Sequence, residues 1–108
     1  MSPTQLTLKE LKKNGYLPAI VEKYNRFAKV RQDAWGVVDI ICLGKGEILF
    51  IQCTTDTGGQ FAKHKEKIEK SPNRRKILES GARFELWAWK KAGKYGKRKV
   101  YEVRKYIW

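Results

Sequence analysis

The alternation of apolar and polar positions divides this chain into short segments. In SPTQLTLKELKKNGYL, Leu6, Leu8 and Leu11 are the apolar positions of a predicted helix. Ser2 or Thr4 offers its cap, and Asn14-Gly15 offers its stop. Residues 17–25 (LPAIVEKYN) alternate, with Ile20, Glu22 and Tyr24 on one side and Ala19, Val21 and Lys23 on the other, which predicts one strand. Residues 26–35 fit either more strand or a connection. Two β-rich runs follow, 37–43 and 48–54, joined by Gly44-Lys45-Gly46-Glu47, a tight hairpin signal. Residues 56–59 (DTGG) end the second run.

A helix is predicted over 60–70. Ser71-Pro72-Asn73 interrupts it, because proline disfavours helix in the residue before it and suits the first turn of a new one. A second helical piece covers 73–80 and stops at Gly81. RFELWAWK (83–90) is a strand, AGKYGK a turn-rich loop, and RKVYEVRKYIW a last strand. The order α-β-β-β-α-β-β predicts an α+β fold, three-layer-like, with a mixed central sheet flanked by helices. One sheet face is expected to pack on the helices, and part of the sheet to meet a ligand. No repeat or linker divides the chain, so 1–108 reads as one domain.

Composition narrows the class. A chain of 108 residues, 42% hydrophobic, suffices for one modest core. No apolar run reaches membrane length, and MSPTQLTLKE lacks a secretory layout, so we expect a soluble intracellular, cytoplasmic protein of phage or prokaryotic type with no membrane partner. Cys42 and Cys53 sit in apolar runs and read as buried reduced thiols. With no CxxC pair and a single histidine, a zinc site has little to be built from.

Charge changes the picture most. The chain carries 24 Lys+Arg against 11 Asp+Glu, a net of +13. Residues 1–59 hold 8 basic and 6 acidic side chains, and residues 60–108 hold 16 and 5. The second half therefore builds one strongly positive surface, for which nucleic acid is the natural partner. A solvated basic face or a ribosome-type RNA-associated protein would carry similar charge.

The candidate chemistry lies in GVVDIICLGKGEILFIQCTT, residues 36–55. Gln52 and Thr54 share a strand face with Ile48 and Phe50. With Lys45-Gly46 as the turn, Asp39 lies opposite Gln52, so Asp39, Gln52 and Thr54 gather at one end of the hairpin. An acid in so apolar a strand is expensive unless it meets water, a cation or a donor. A partnered Asp at a strand end is one solution. The other is a Mg²⁺ site, with a carboxylate from Asp39, an amide oxygen from Gln52 and the backbone carbonyl of Cys53.

These residues and the element order resemble the PD-(D/E)XK nuclease superfamily, which includes restriction enzymes, Holliday-junction resolvases and small phage nucleases. The resemblance runs over about residues 5 to 90. The superfamily core is α-β-β-β-α-β, restriction-endonuclease-like, with an acid on the second strand and acid-any-lysine on the third. GVVD, ending at Asp39, looks like the first element, and FIQCT stands where the second belongs, with Gln52 for the acid and Thr54 for the lysine. Glutamine offers an oxygen without charge, and threonine offers no ammonium.

The resemblance implies that the missing groups come from elsewhere or that the chain binds without cutting. Glu22 on the first strand, Glu10 on the first helix, and Lys63 or Lys67, four apart on the second helix, are the candidates. His64 is the one histidine available as a base, and Asp33 and Asp56 read as turn residues outside the site. Lys90, Lys91, Lys94, Lys97, Arg98 and Lys99, with Arg74 and Arg75, are the backbone-contact candidates. The aromatics, Trp87 and Trp89 on one strand face among them, read mostly as core, and Tyr106, Ile107 and Trp108 as an apolar surface for a homodimer.

The implied activity is a small DNA endonuclease dependent on Mg²⁺, with Mn²⁺ able to substitute, selective for structure or junctions. The alternatives are a catalytically silent nucleic-acid-binding module of the same fold and an RNA-associated basic protein.

Overall fold

A computed structural model describes residues 1–92 and 100–108. Helix α1 (Pro3–Lys13) starts at Ser2, whose hydroxyl accepts from the Gln5 N–H while the Gln5 side chain accepts from the Ser2 N–H, a capping box. It ends at Asn14, and Gly15 takes the left-handed φ of 84° that lets the chain turn into the sheet.

Strands β1 (Leu17–Ile20), β4 (Ile40–Gly44), β5 (Glu47–Thr55), β6 (Arg83–Ala92) and β7 (Val100–Ile107) form one sheet in the order β1-β4-β5-β6-β7. The pairs are antiparallel except β5 with β6, which run parallel and are joined through helices α2 (Gln60–Lys70) and α3 (Pro72–Glu79). Ser71 separates the two helices and caps the second through the Asn73 N–H. The fold is mixed α+β. Among the described residues no helix is long and apolar enough to cross a membrane.

The sheet is covered on both faces, not one. Leu6 and Leu11 of α1 pack with Ile40, Cys42, Leu49, Ile51, Cys53, Trp87 and Trp89. Phe61, Ile68 and Ile77 of α2 and α3 pack on the other face with Phe84, Leu86 and Ala88. Double coverage explains the unbroken apolar run Ile48–Ile51 in β5, where a strand covered on one face would alternate. Both cysteines are free and buried, and burial pushes the Cys42 thiol up to about 11.

The stretch expected to be one strand, 17–25, is two. β1 ends at Ile20, and Lys23–Asn25 (β2) leaves the sheet to pair with Val30–Gln32 (β3) as a separate hairpin. Alternation continues across the break, so periodicity alone does not mark it. Tyr106 and Trp108, expected at a dimer contact, pack against each other, and Trp108 meets Phe84 edge to face. Ile107 alone of the three is exposed.

Candidate functional site

The β4–β5 turn is Lys45-Gly46, with both residues at positive φ (54° and 73°), as a two-residue hairpin with the sheet's twist requires. The register follows from it: Gly44 faces Glu47 and Ile40 faces Ile51. The ladder ends at that pair; Asp39, just before β4, donates its N–H to the Ile51 carbonyl at 2.9 Å, and the Gln52 amide donates to Asp39 Oδ2. The Cys53 N–H donates to the same oxygen at 2.8 Å. The N–H and C=O of a strand residue point the same way, so the Cys53 carbonyl faces this edge too.

Two further segments converge on Asp39. The Val21 N–H donates to the Asp39 carbonyl at 2.9 Å, extending the β1–β4 ladder and bringing Glu22 alongside. Upstream, Trp35 and Gly36 take left-handed φ (52° and 75°), and Ala34 bridges Val38. That reversal lays Asp33 against Asp39. Carboxylate oxygens of Glu22, Asp33 and Asp39 all lie within 4.8 Å of one another.

Asp33 thus belongs to the site, which corrects its reading as a turn residue outside it. The turn itself carried the signal: if Ala34 pairs with Val38 around Trp35-Gly36, Asp33 must fall beside Asp39. Glu22 is where the expectation needed it, although it lies just past β1 rather than within it.

The surroundings leave these acids short of positive charge. Arg31 Nη1 sits 2.9 Å from Glu22, and Lys67 Nζ sits 3.4 Å from Asp33. With Asp39 ionised, as cation binding would require, three carboxylates face two cations among the described residues. Asp39 is 4% exposed. Burial first, then the neighbouring Asp33, pushes its carboxyl from 3.8 up to about 8, against the opposing bonds from Cys53 and Gln52.

Gln52, 2% exposed, spends its amide hydrogens on Asp39 and Asp33, while its Oε1 is buried with no partner. Turning the amide over would aim that oxygen at two carboxylates, which is repulsive unless a cation lies between them. Three hard carboxylate donors, short of positive charge once Asp39 is ionised, suit a small divalent cation such as Mg²⁺.

The other expected residues divide. Lys67 reaches the cluster, but Lys63, on the same helix, is exposed and forms no ion pair among the described residues. Thr54 is buried beside Ala88 of β6. Glu10 holds Asn14 on α1, on the opposite sheet face, and the His64 ring meets the Gln60 carbonyl in its own helix. Asp56 pairs with Arg104. Arg75 is tied to Glu79, and Arg74 is half-buried. Lys90 and Lys91 are exposed and leave the same end of the sheet as Gln52 and Thr54. Lys94, Lys97, Arg98 and Lys99 lie outside the described residues.

The chain matches no family model, no curated protein and no solved structure. The chemistry of the site is therefore read from its own residues. The acids lie where β4 begins and the parallel pair β5–β6 ends, the edge of a sheet at which ligands commonly bind. A cleft of about 270 Å³, lined by Trp35, Phe50, Asn73 and Ile77 among others, does not include the acids. A larger one, about 510 Å³, lies between the chain start and the ends of β6 and β7 and includes none of the acids.

Proposed function

We propose that the chain is a small Mg²⁺-dependent endonuclease acting on DNA, built as a variant of the PD-(D/E)XK site. The observation that carries this reading is the cluster of Glu22, Asp33 and Asp39 with Lys67 against it, on a chain of net charge +13. The order α1-β1-β4-β5-α2/α3-β6 supports it, because Asp39 then stands at the entry to the second strand of the core sheet and Gln52 on the third.

In this reading Asp39, Asp33 and Glu22 hold the cation, with the Cys53 carbonyl at hand; Gln52 would present its Oε1 only with its amide turned over. A divalent ion bound there would make a coordinated water acidic and offset charge on the scissile phosphoryl oxygens. Gln52 and the Cys53 N–H fix the Asp39 carboxylate in one orientation. Lys67 reaches the site from α2 and supplies the ammonium that Thr54 lacks. Bound phosphate would draw its Nζ away from Asp33, so the lysine serves the acids before substrate arrives and the phosphate afterwards. Lys90, Lys91 and Arg74 hold the strand by its backbone, without reading bases. A site with no reading element fits selectivity for DNA structure, and cutting both strands would require two copies.

One observation favours a second reading. Gln52 and Thr54 replace the charged pair of the motif, and a silent DNA-binding module of the same fold needs neither. Labelled single strands, duplex, flaps and a four-way junction, offered with Mg²⁺, Mn²⁺ or EDTA, separate the two. Metal-dependent cutting that disappears in Asp39→Ala is the expected result. Tight binding without cutting under any metal would establish the module instead, and a wide preference for RNA in competition would overturn both.

A further inference from the structure

Between Glu22 and Asp33 the chain leaves the sheet as an arm. Strands β2 and β3 pair with each other, Lys23 opposite Gln32 and Asn25 opposite Val30, and among the described residues pack on no other element to a comparable extent. The turn is preorganised. The Asn25 Oδ1 accepts from the Phe27 N–H at 2.9 Å and the Ala28 N–H at 3.1 Å, and Lys29 takes a left-handed φ of 54°. This geometry holds Phe27 at the tip, 99% exposed, with Tyr24 behind it at 61%.

From residue 23 to 32 the arm carries Lys23, Arg26, Lys29 and Arg31 and no acid. Its two feet are Glu22 and Asp33, two of the three acids of the cluster. A lone exposed apolar side chain needs no explanation. A fully exposed ring, fixed at the tip of a basic ribbon whose base is a cluster of acids, has one. Phosphates match the lysines and arginines, and a base face matches the ring.

We propose that the β2–β3 arm is a DNA-gripping element in which Lys23, Arg26 and Lys29 contact phosphates and Phe27 stacks on a base at an unpaired or unstacked step. This rests on the reading of DNA as the ligand and extends it, because the arm then sets which DNA structure the site accepts. Three paired residues and a turn, at about 3.3 Å each along the strand, reach roughly 10 Å or more. That is enough to pass the backbone and meet bases at the floor of a major groove about 8.5 Å deep, which is wide enough for a two-stranded ribbon. An aromatic ring can stack on any base, so the arm selects DNA that offers an unstacked base rather than a sequence. Arg31 stays with Glu22, which fixes the arm's foot to the site.

The test compares a fluorescein-labelled duplex with the same duplex carrying a short unpaired bubble, by anisotropy at several salt concentrations. The proteins are wild type, Phe27→Ala, and the triple variant Lys23→Gln/Arg26→Gln/Lys29→Gln. Thermal melts with and without Mg²⁺ check that the fold and the acid cluster are intact in each. Wild type is expected to prefer the bubble. Phe27→Ala should lose that preference, by about tenfold or more in affinity for the bubble, and keep its duplex affinity. The triple variant should weaken both and flatten the slope of log K against log salt by about 2.7. Wild-type behaviour in both variants would overturn the arm while leaving the DNA reading standing. Failure of the wild type to bind either DNA would overturn both. A change from dimer to monomer in Phe27→Ala, with DNA affinity unaltered, would make the tip a protein contact and also overturn the proposal.

Discussion

Asp39→Asn is expected to stabilise the metal-free protein at neutral and alkaline pH. Asp39 is buried next to Asp33, and its carboxyl is raised from 3.8 to about 8. In the unfolded chain it ionises near pH 4, as an ordinary aspartate does. Between these values folding takes up a proton, so stability falls as pH rises from about 4 to about 8 and levels off above that. The full shift, at about 1.36 kcal/mol per unit, sets a ceiling of roughly 6 kcal/mol. Relaxation and water entry at a sheet edge reduce this, and about 2 kcal/mol is a reasonable working value.

Asparagine keeps an oxygen for the Cys53 N–H and the Gln52 amide and turns an N–H₂ toward Asp33, so the geometry survives the change. For a domain of about this size, 2 kcal/mol corresponds to roughly 10 °C in Tm. Thermal unfolding of both proteins in EDTA from pH 4 to pH 9 is the assay. The variant should melt higher at pH 8, and the two curves should meet near pH 4. A variant no more stable than wild type at pH 8, or a difference that does not change with pH, would refute the reasoning.

Other outcomes follow from the same geometry. Lys67→Ala should lower cleavage by on the order of 100-fold, the scale of one lost electrostatic contact in an active site, while Lys63→Ala, exposed on the same helix, should cut at the wild-type rate. Ile68, fully buried between α2 and the sheet, should cost about 2–5 kcal/mol on substitution by alanine, measured by urea unfolding with Asp39→Asn as the background control. If about six phosphates are contacted, log K against log salt on duplex DNA should slope near −5, and a flat dependence would remove the basic surface from the binding account.

The parts of this fold legible in the sequence are those fixed by local rules. Ser2, Asn14-Gly15, Ser71-Pro72 and Gly81 bound the helices where capping and proline geometry require. Lys45-Gly46 sets the β4–β5 register as far as Ile40–Ile51, which brings Asp39 within reach of the Gln52 side chain. What escaped were features decided by tertiary pairing. The break after Ile20 leaves no mark in the alternation, because an arm and a sheet strand share the same period. Asp33 looked like a turn residue because it is one. Its role comes from the Trp35-Gly36 reversal, which carries it back to Asp39, and a tryptophan at φ 52° is not a residue from which a tight turn is readily expected. Lys67 separates from Lys63 only once the angle of α2 against the sheet is known.

The central claim is that Glu22, Asp33 and Asp39 hold a divalent cation, and Mn²⁺ tests it most directly. Titration of the purified protein with Mn²⁺, followed by electron paramagnetic resonance, counts bound ions without reference to cutting. Wild type should bind Mn²⁺ and release it to excess Mg²⁺, while Asp39→Asn and Asp33→Asn bind far more weakly and stay folded. Equal binding by wild type and both variants, or none by any of them, would contradict the account.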